Sequence, residues 1–308
     1  MKKILLSAAS LAILSGSALA ADLPSRKEAV VAPVVAPLWQ GFYAGLNAGY
    51  GFGTANNSGQ FGWANPAIGT ATDAAAFAGA NSFKGQNVAQ GGFIGGGQIG
   101  YNYQYGQSFL LGFEADIQGT GINGQGTTKG FAPFAETTGA TNGYLTNGTV
   151  QAGINWMGTA RGRIGYLITP TVLAYATGGL AYGGTYVKTF PNTIETSTAN
   201  GGSAYNEAIW TQNSQQNFNV GWTAGGGAEW IMAPNWSIKG EALYYDLGNT
   251  TVSNTAYNAS AVSGSVGASA STNPIGGSST RAYYQGVIAR AGVNYHFNLG
   301  SMPVVAKF

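Results

Sequence analysis

The chain alternates apolar residues with small or polar residues at a period of two. In residues 40–53 one face collects Phe42, Ala44, Leu46, Ala48, Tyr50 and Phe52, and the opposite face collects Tyr43, Gly45, Asn47, Gly49 and Gly51. This alternation is typical of a β-strand with one apolar face. It returns in seven more segments: 90–104, 108–118, 155–168, 172–186, 217–231, 236–247 and 281–297. The pattern therefore predicts eight strands.

The connections between these segments alternate between short and long. Three are tight turns, at residues 105–107, 169–171 and 232–235, and the other four have 36, 36, 30 and 33 residues. An even number of strands with short turns on one side and long loops on the other is typical of an outer-membrane β-barrel. We therefore predict an all-β fold: an eight-stranded antiparallel up-and-down transmembrane β-barrel with four long extracellular loops and three short periplasmic turns.

The composition is consistent with lipid contact and excludes several other classes of protein. Charged residues make up 8% of the 308 residues, hydrophobic residues make up 44%, and Gly occurs 50 times. Soluble domains carry about 25% charged residues, and disordered chains need low hydrophobicity with high net charge. The absence of Cys excludes disulfides, thiolate metal sites and a Cys nucleophile. No segment beyond the N-terminal region is long and apolar enough to predict a membrane-spanning helix.

Residues 1–20 have the features of a secretory signal peptide. Lys2 and Lys3 precede a short apolar run, and Ala18-Leu19-Ala20 matches a cleavage site. Cleavage after Ala20 would remove two of the 13 basic residues and leave 11 basic and 11 acidic residues, so the mature chain has no net charge. This balance gives no support to a nucleic-acid partner. We expect a periplasmic N-terminal extension at residues 21–39, a barrel at 40–297 and a C-terminal tail at 298–308.

The charged residues of the strands fall on the face opposite the aliphatic one. The inward face is predicted to carry four acids and four bases: Glu114, Asp116, Arg161, Arg163, Glu229, Lys239, Glu241 and Arg290. An eight-stranded barrel has an interior just wide enough for side chains to fill it, so these acids and bases are expected to pair. Two interpretations stay open, a structural network of ion pairs and a narrow or gated pore.

The apolar face carries aromatic residues near its ends and aliphatic residues or Ala between them. This arrangement is typical of a lipid-facing band between two interfacial girdles. The periplasmic girdle is predicted to contain Phe42, Tyr101, Tyr103, Phe109, Tyr166, Trp230, Trp236, Tyr295 and Phe297. The outer girdle is predicted to contain Phe52, Trp156, Tyr182, Trp222 and Tyr244.

Candidate catalytic and ligand-binding residues are few. His296 is the only histidine, and it lies on the inward face near the periplasmic end of the last strand, far from the long loops. A Ser-His-Asp enzyme needs its imidazole in an accessible site, so we interpret His296 as a wall residue. Glu114 and Asp116 have Arg161 and Arg163 as ready partners, which favours salt bridges over acid–base catalysis. We therefore predict no enzyme activity, no cofactor and no metal site.

The long connections are rich in Asn, Thr, Ser, Gly and Ala and carry few charges. They also hold aromatic residues: Phe61, Trp63, Phe77, Phe83, Phe131, Phe134, Tyr144, Phe190, Tyr205, Trp210 and Tyr257. This composition favours solvated loops that are partly extended as hairpins beyond the membrane. The alternative is an aromatic contact surface for a host ligand, a glycan or haem.

Several segments resemble a known family. Residues 290–297, RAGVNYHF, resemble the C-terminal assembly signal of bacterial outer-membrane proteins through Arg290, Gly292, Tyr295 and Phe297. The segments PLWQGFYAGLNAGYGFG, GGGQIGYNYQ, FEADIQG, RGRIGYL, YATGGLAYG and GEALYYDLG resemble the small outer-membrane porin-like or immunogenic proteins of alpha-proteobacteria. The resemblance covers the leader, all eight strands and the tail, but not the long loops. The tail adds a second terminal aromatic residue, Phe308, so either Phe297 or Phe308 is the one that the assembly machinery reads.

The resemblance implies an eight-stranded barrel in the outer membrane of a Gram-negative bacterium. Members of this family are variously porins, haem binders, adhesins or envelope-stability proteins. Our leading hypothesis is a non-enzymatic integral outer-membrane protein with a structural, surface-exposed role in the envelope. The alternatives are a small-solute porin and a loop-mediated adhesin or haem-binding surface protein. The expected partners are outer-membrane lipid and lipopolysaccharide, the outer-membrane assembly machinery, and a host or small-molecule ligand at the loops.

Overall fold

A computed structural model describes residues 38–53, 58–64, 71–86, 88–135, 141–197, 204–260 and 269–297. The predicted signal peptide at 1–20, nearly all of the predicted extension at 21–39 and the predicted tail at 298–308 lie outside the described residues.

Eight of the strands form the barrel wall. They are β1 (Gly41–Gly53), β4 (Gln90–Tyr105), β5 (Phe109–Thr120), β7 (Thr141–Thr169), β8 (Val172–Ser197), β10 (Asn213–Ala233), β11 (Trp236–Ser260) and β12 (Ser269–Phe297). The other elements lie within the long connections: β2 (Ser58–Ala64), helix α1 (Ala71–Ala80), β3 (Phe83–Gln86), β6 (Asn123–Ala135) and β9 (Ala204–Trp210). No helix among the described residues is long and apolar enough to cross a membrane.

Antiparallel pairing closes the eight wall strands into a ring. β1 pairs with β4 on one side and with β12 on the other, from Phe42 opposite Phe297 to Gly53 opposite Gly286. The remaining neighbours are β4–β5, β5–β7, β7–β8, β8–β10, β10–β11 and β11–β12. A closed ring pairs its backbone groups between neighbouring strands and leaves no sheet edge in lipid. The predicted eight-stranded antiparallel barrel is therefore confirmed.

The three predicted tight turns all lie at one end of the barrel. β1 begins and β12 ends at this same end of the barrel. We name this end the turn end and the opposite end the hairpin end. Two turn residues have positive φ, Gly106 at 64° and Asn235 at 67°. Gly and Asn tolerate this conformation because it costs Gly nothing sterically and because the Asn side chain can bond locally. Gly106 and Asn235 each lie between two paired strands, in the turns β4–β5 and β10–β11.

The strands extend much farther toward the hairpin end than the alternation predicted. β7 begins at Thr141 rather than at residue 155, and β8 continues to Ser197 rather than ending at 186. β11 likewise continues to Ser260, and β12 begins at Ser269. The expectation that residues 119–154, 187–216 and 248–280 are mainly loop is wrong for most of the part that the structure describes. The pairing of these residues agrees with loops that are partly extended as hairpins, and their position beyond the membrane stays a prediction.

The first long connection folds differently from the other three. β2 pairs with β12 between residues 276 and 281, and β3 pairs with β2. Helix α1, ATDAAAFAGA, packs against β2, β6, β7 and β12. Ala has the highest helix propensity, so an Ala-rich segment forms a helix even without a clear amphipathic period. This helix has no counterpart among the elements predicted from the alternation.

Candidate functional site

The lumen of the barrel is the place where the structure gathers its charged groups. All eight predicted inward charges are almost completely buried there: Glu114, Asp116, Arg161, Arg163, Glu229, Lys239, Glu241 and Arg290. They come from β5, β7, β10, β11 and β12 and lie next to one another in what we name the charged layer. Four acids face four bases, so the layer as a whole is formally neutral.

Arg161 lies at the centre of the charged layer. Its guanidinium pairs with Glu114, with Asp116 at 3.0 Å and with Glu241 at 3.1 Å. Its Nε also donates to Thr159 Oγ1 at 2.9 Å. One planar guanidinium therefore joins three carboxylates, which is the fork geometry that distinguishes Arg from Lys.

Arg290 and Lys239 are further basic partners of the same three carboxylates. Arg290 donates from Nε to Glu241 Oε1 at 2.5 Å and from Nη2 to Asp116 Oδ2 at 2.7 Å. Lys239 Nζ lies 2.8 Å from Glu114 Oε2 and 3.2 Å from Glu241 Oε1. Buried charges are tolerated when each one is paired and hydrogen-bonded, and Glu114, Asp116 and Glu241 each have at least two basic partners.

Arg163 is held by rings as well as by acids. Its guanidinium lies 4.1 Å from the centroid of the Tyr175 ring and 5.5 Å from that of the Tyr43 ring. Its Nη2 donates to Glu229 at 2.8 Å and its Nη1 to Tyr43 Oη at 2.8 Å. Tyr43 Oη in turn donates to Glu114 at 2.7 Å, so a cation–π contact and a hydrogen-bond chain link β1, β5, β7 and β10.

His296 lies beside this layer, as the interpretation of a wall histidine requires. Its Nε2 is 2.9 Å from Ser237 Oγ and 3.4 Å from Glu229 Oε1, and Ser237 Oγ donates to the same carboxylate oxygen at 2.5 Å. In a catalytic triad the acid orients the imidazole through Nδ1 while Nε2 faces the serine. Here acid and serine share one nitrogen, so the three groups do not have the triad geometry.

An apolar cluster fills the turn end of the lumen. Trp39, Leu110, Leu167, Leu173 and Tyr175 form this turn-end plug, and all five are buried. Trp39 Nε1 donates to the carbonyl of Pro170 at 3.0 Å, and the Trp39 ring meets the His296 ring edge-on at 5.7 Å. The predicted domain boundary places Trp39 in the periplasmic extension, whereas the structure buries it inside the barrel.

A second apolar cluster fills the lumen on the other side of the charged layer. This hairpin-end plug contains 15 buried residues: Ile94, Ile122, Val150, Ala152, Ile154, Met157, Ala181, Val187, Leu243, Tyr245, Leu247, Val252, Ala282, Tyr284 and Ile288. The alternation predicts small or polar residues on the inward face. The hairpin-end plug could have been found from strands with apolar residues on both faces, such as Tyr244 beside Tyr245 and Val287 beside Ile288.

Beyond the hairpin-end plug, helix α1 lies within the ring of extended strands. Phe77 is buried, stacks on Trp210 with ring centroids 5.9 Å apart and meets Tyr144 edge-on at 5.3 Å. Asn81 Oδ1 accepts from Thr146 Oγ1 and Thr193 Oγ1, each at 3.2 Å. The helix therefore adds packing beyond these three layers, made from aromatic contacts and neutral hydrogen bonds.

The outer wall carries the predicted girdles. Every predicted residue of the periplasmic girdle is exposed, from Phe42 to Phe297. In the outer girdle Phe52 and Trp222 are exposed, and Trp156, Tyr182 and Tyr244 are partly exposed. Of the predicted assembly-signal residues, Arg290 and Gly292 lie at the level of the charged layer, while Tyr295 and Phe297 face outward with ring centroids 5.1 Å apart. Among the described residues, no group of three or more His, Asp or Glu side chains is placed to hold a metal ion.

Comparison with known proteins identifies the family. No family model matches the chain. The 31 kDa outer-membrane immunogenic proteins of Brucella melitensis biotype 1 and Brucella suis biovar 1 are each 32% identical to it over 254 residues, which is 80% of this chain and 88% of theirs. The chain belongs to this family. It is thus an outer-membrane β-barrel protein of a Gram-negative bacterium, and the suspected resemblance is confirmed.

Solved structures give weaker similarities to this chain. The outer membrane protein OprG from Pseudomonas aeruginosa is 10% identical with a TM-score of 0.37, covering 84% of this chain and 97% of that one. Ail, the attachment invasion locus protein of Yersinia pestis, is 12% identical with a TM-score of 0.29, covering 83% and 99%. Similarities at these TM-scores carry no argument about function.

Proposed function

We propose that this outer-membrane surface protein is a closed, non-enzymatic barrel with a structural role, which carries long hairpins on the cell surface. The observation that carries the proposal is the filling of the lumen in three successive layers. The turn-end plug, the charged layer and the hairpin-end plug each consist of side chains in mutual contact. A porin of small solutes needs a continuous aqueous path, and larger barrels than this one provide it.

Planar-bilayer conductance of the refolded full chain tests the proposal. We expect no steady channel conductance, because a solute would have to displace buried ion pairs and two apolar clusters. The matched control is the Arg281→Gln variant, which removes an exposed charge on the outer face of β12 and leaves the lumen intact. Reproducible single-channel steps from the wild-type chain at several protein concentrations would favour the small-solute porin instead.

A loop-mediated binding function is the second candidate. Three aromatic side chains at the hairpin end are exposed on strands with few charges: Trp63, Phe131 and Phe190. Exposed aromatic residues on a rigid scaffold are typical of binding surfaces for sugars, proteins or flat ligands. A triple Ala variant at these positions should lose binding to host-cell extracts or haem. It should still migrate differently on gels with and without boiling (heat-modifiable gel mobility), as a folded barrel does. Unchanged binding would remove the adhesin and haem-binding candidates for these residues.

The finish of β12 is proposed to be read by the outer-membrane assembly machinery. Tyr295 and Phe297 are exposed on the lipid-facing side at the turn end, and Phe297 pairs with Phe42 where the ring closes. A Phe297→Ala variant should fold in detergent but assemble poorly in cells. A Phe308→Ala variant distinguishes the two candidate terminal residues, because only the residue that is read should reduce assembly.

A further inference from the structure

The outer wall of β7, β8 and β10 changes from apolar to polar in four successive rows. Each row joins one outward residue from each strand by direct pairing. From the membrane side outward the rows are Gly158–Tyr182–Val220, Trp156–Gly184–Phe218, Gly153–Tyr186–Gln216 and Gln151–Lys188–Ser214. From Tyr182 to Lys188 the chain advances about 20 Å along the strand. The boundary between hydrocarbon and headgroups therefore falls within these rows, since aromatic residues occupy that level.

The rings of Trp156 and Tyr182 pack over glycines of the neighbouring strand, with their planes at 70° to each other. A Cβ at Gly184 would lie 2.5 Å from Trp156 Nε1, and a Cβ at Gly158 would lie 2.6 Å from the Tyr182 ring. The rings of Trp156, Tyr182 and Phe218 have centroids 6.0 to 6.4 Å apart. They form a continuous platform on the outside of the barrel, which we name the aromatic platform.

Lys188 stands on the polar side of the aromatic platform. Its Nζ lies 5.7 Å from the centroid of the Tyr186 ring, and its side chain is half-buried on the outward face. Among the described residues no carboxylate lies within salt-bridge distance of Lys188. The amide of Gln151 and the hydroxyl of Ser214 flank it in the same row. Within the part of the chain whose side chains the structure describes, Lys188 is thus a positive charge without a counter-ion, at the level where lipid headgroups lie.

The chemistry of these groups matches one class of ligand. An ammonium group flanked by an amide and a hydroxyl can bind a phosphate, and aromatic faces stack on sugar rings. A ligand at this place must also have acyl chains to cover Val220 and Phe218 in the hydrocarbon. We propose that the aromatic platform and Lys188 form a binding site for lipid A, with its glucosamine phosphate at Lys188 and its sugar and upper acyl chains on the platform. This site does not depend on whether the barrel conducts.

Binding of labelled lipid A to the full-length chain in phospholipid nanodiscs tests the site. Lys188→Gln should weaken binding about fivefold, the effect of one lysine at an anionic membrane surface. Trp156→Leu, which keeps an apolar side chain but removes the ring, should weaken it further when combined with Lys188→Gln. Arg281→Gln is the matched control, because it removes one exposed outward cation on β12, on another part of the ring. Heat-modifiable gel mobility checks that each variant is folded.

Three results distinguish the site from general attraction. Lipid A with its phosphates removed should bind wild type and Lys188→Gln equally, because the charge contact is then absent. An equal loss for Arg281→Gln and Lys188→Gln would show that only the overall surface charge matters and would overturn the proposal. It would also be overturned if phosphatidylglycerol competed as well as lipid A, since that lipid has a phosphate without sugar rings to stack.

Discussion

The charged layer and the hairpin-end plug are neighbouring layers of the lumen that are filled by opposite chemistry. Toward the turn end, four acids and four bases from five strands pair with one another around Arg161. Toward the hairpin end, inward positions of β7, β11 and β12 carry Met157, Leu243 and Ile288 instead. Both arrangements close the barrel, but ion pairs need each partner in place, whereas an apolar cluster tolerates small losses. The difference predicts that substitutions of similar size should have unequal effects in these two layers.

The largest effect is expected at the centre of the charged layer. Arg161→Met keeps most of the side-chain volume but leaves Glu114, Asp116 and Glu241 without their shared cation. Removing one member of a buried ion pair costs about 4 kcal/mol of unfolding free energy. Urea unfolding in phospholipid vesicles, followed by gel mobility, measures this loss. Adding Glu114→Gln to the same chain should restore part of it, and a double variant no more stable than the single one would contradict the network.

The hairpin-end plug is expected to respond less strongly. Met157→Ala should cost about 3 kcal/mol through lost burial and a residual cavity. The variant should remain closed to ions, because the charged layer and the turn-end plug still fill the lumen. The same urea unfolding and a planar-bilayer recording check both statements. A loss larger than that of Arg161→Met would reverse the comparison between the charged layer and the hairpin-end plug.

A glycine on the inward face is expected to show how tightly the charged layer is packed. A Cβ at Gly100 would overlap the ring of Tyr43, which links Arg163 to Glu114, and would also meet the carbonyl of Phe113 at 2.7 Å. Gly100→Ala should therefore destabilise the barrel by about 2 kcal/mol through overpacking. The control is Gly95→Ala on the same strand, where the nearest atom lies at 3.6 Å. Equal unfolding midpoints for the two variants would contradict this packing.

The smallest effect is expected at the turn end. Trp39→Phe keeps an aromatic ring in the turn-end plug and removes only the hydrogen bond from Nε1 to the Pro170 carbonyl. The expected cost is about 1 kcal/mol, the usual contribution of one hydrogen bond. Trp39→Ala, measured in the same urea series, should cost more because it also removes the buried ring. If both variants matched wild type, the plug would not need Trp39.

Alternation predicted the barrel because it reports contact with lipid. Phe42, Leu46 and Phe52 face outward on β1 while Tyr43 and Asn47 face inward, so the sequence itself shows the period of two. Above the membrane the outward face no longer has to be apolar. Residues such as Thr146, Asn147 and Thr149 on β7 are then similar on both faces, and the strand continues only through backbone pairing, which the sequence does not display.

The content of the lumen was predictable only where it is charged. A charge on a strand with an apolar opposite face has to lie inward, which locates Arg161 and Glu241 without a structure. Apolar inward residues give no such contrast, because Ile288 looks like its lipid-facing neighbour Val287 in the sequence. Trp39 was missed for another reason: it precedes β1, and its position depends on the carbonyl of Pro170, which is distant in sequence.

The stacking of the three layers also has an electrical consequence. The charged layer lies between two apolar clusters, the turn-end plug and the hairpin-end plug. Counter-ions screen charges only where the solution can reach them, over a Debye length of about 8 Å at physiological ionic strength. The mobile ions of the periplasm and of the surroundings are therefore kept from Arg161 and its partners. The strength of the ion pairs in the charged layer should therefore not depend on the ionic strength outside the barrel.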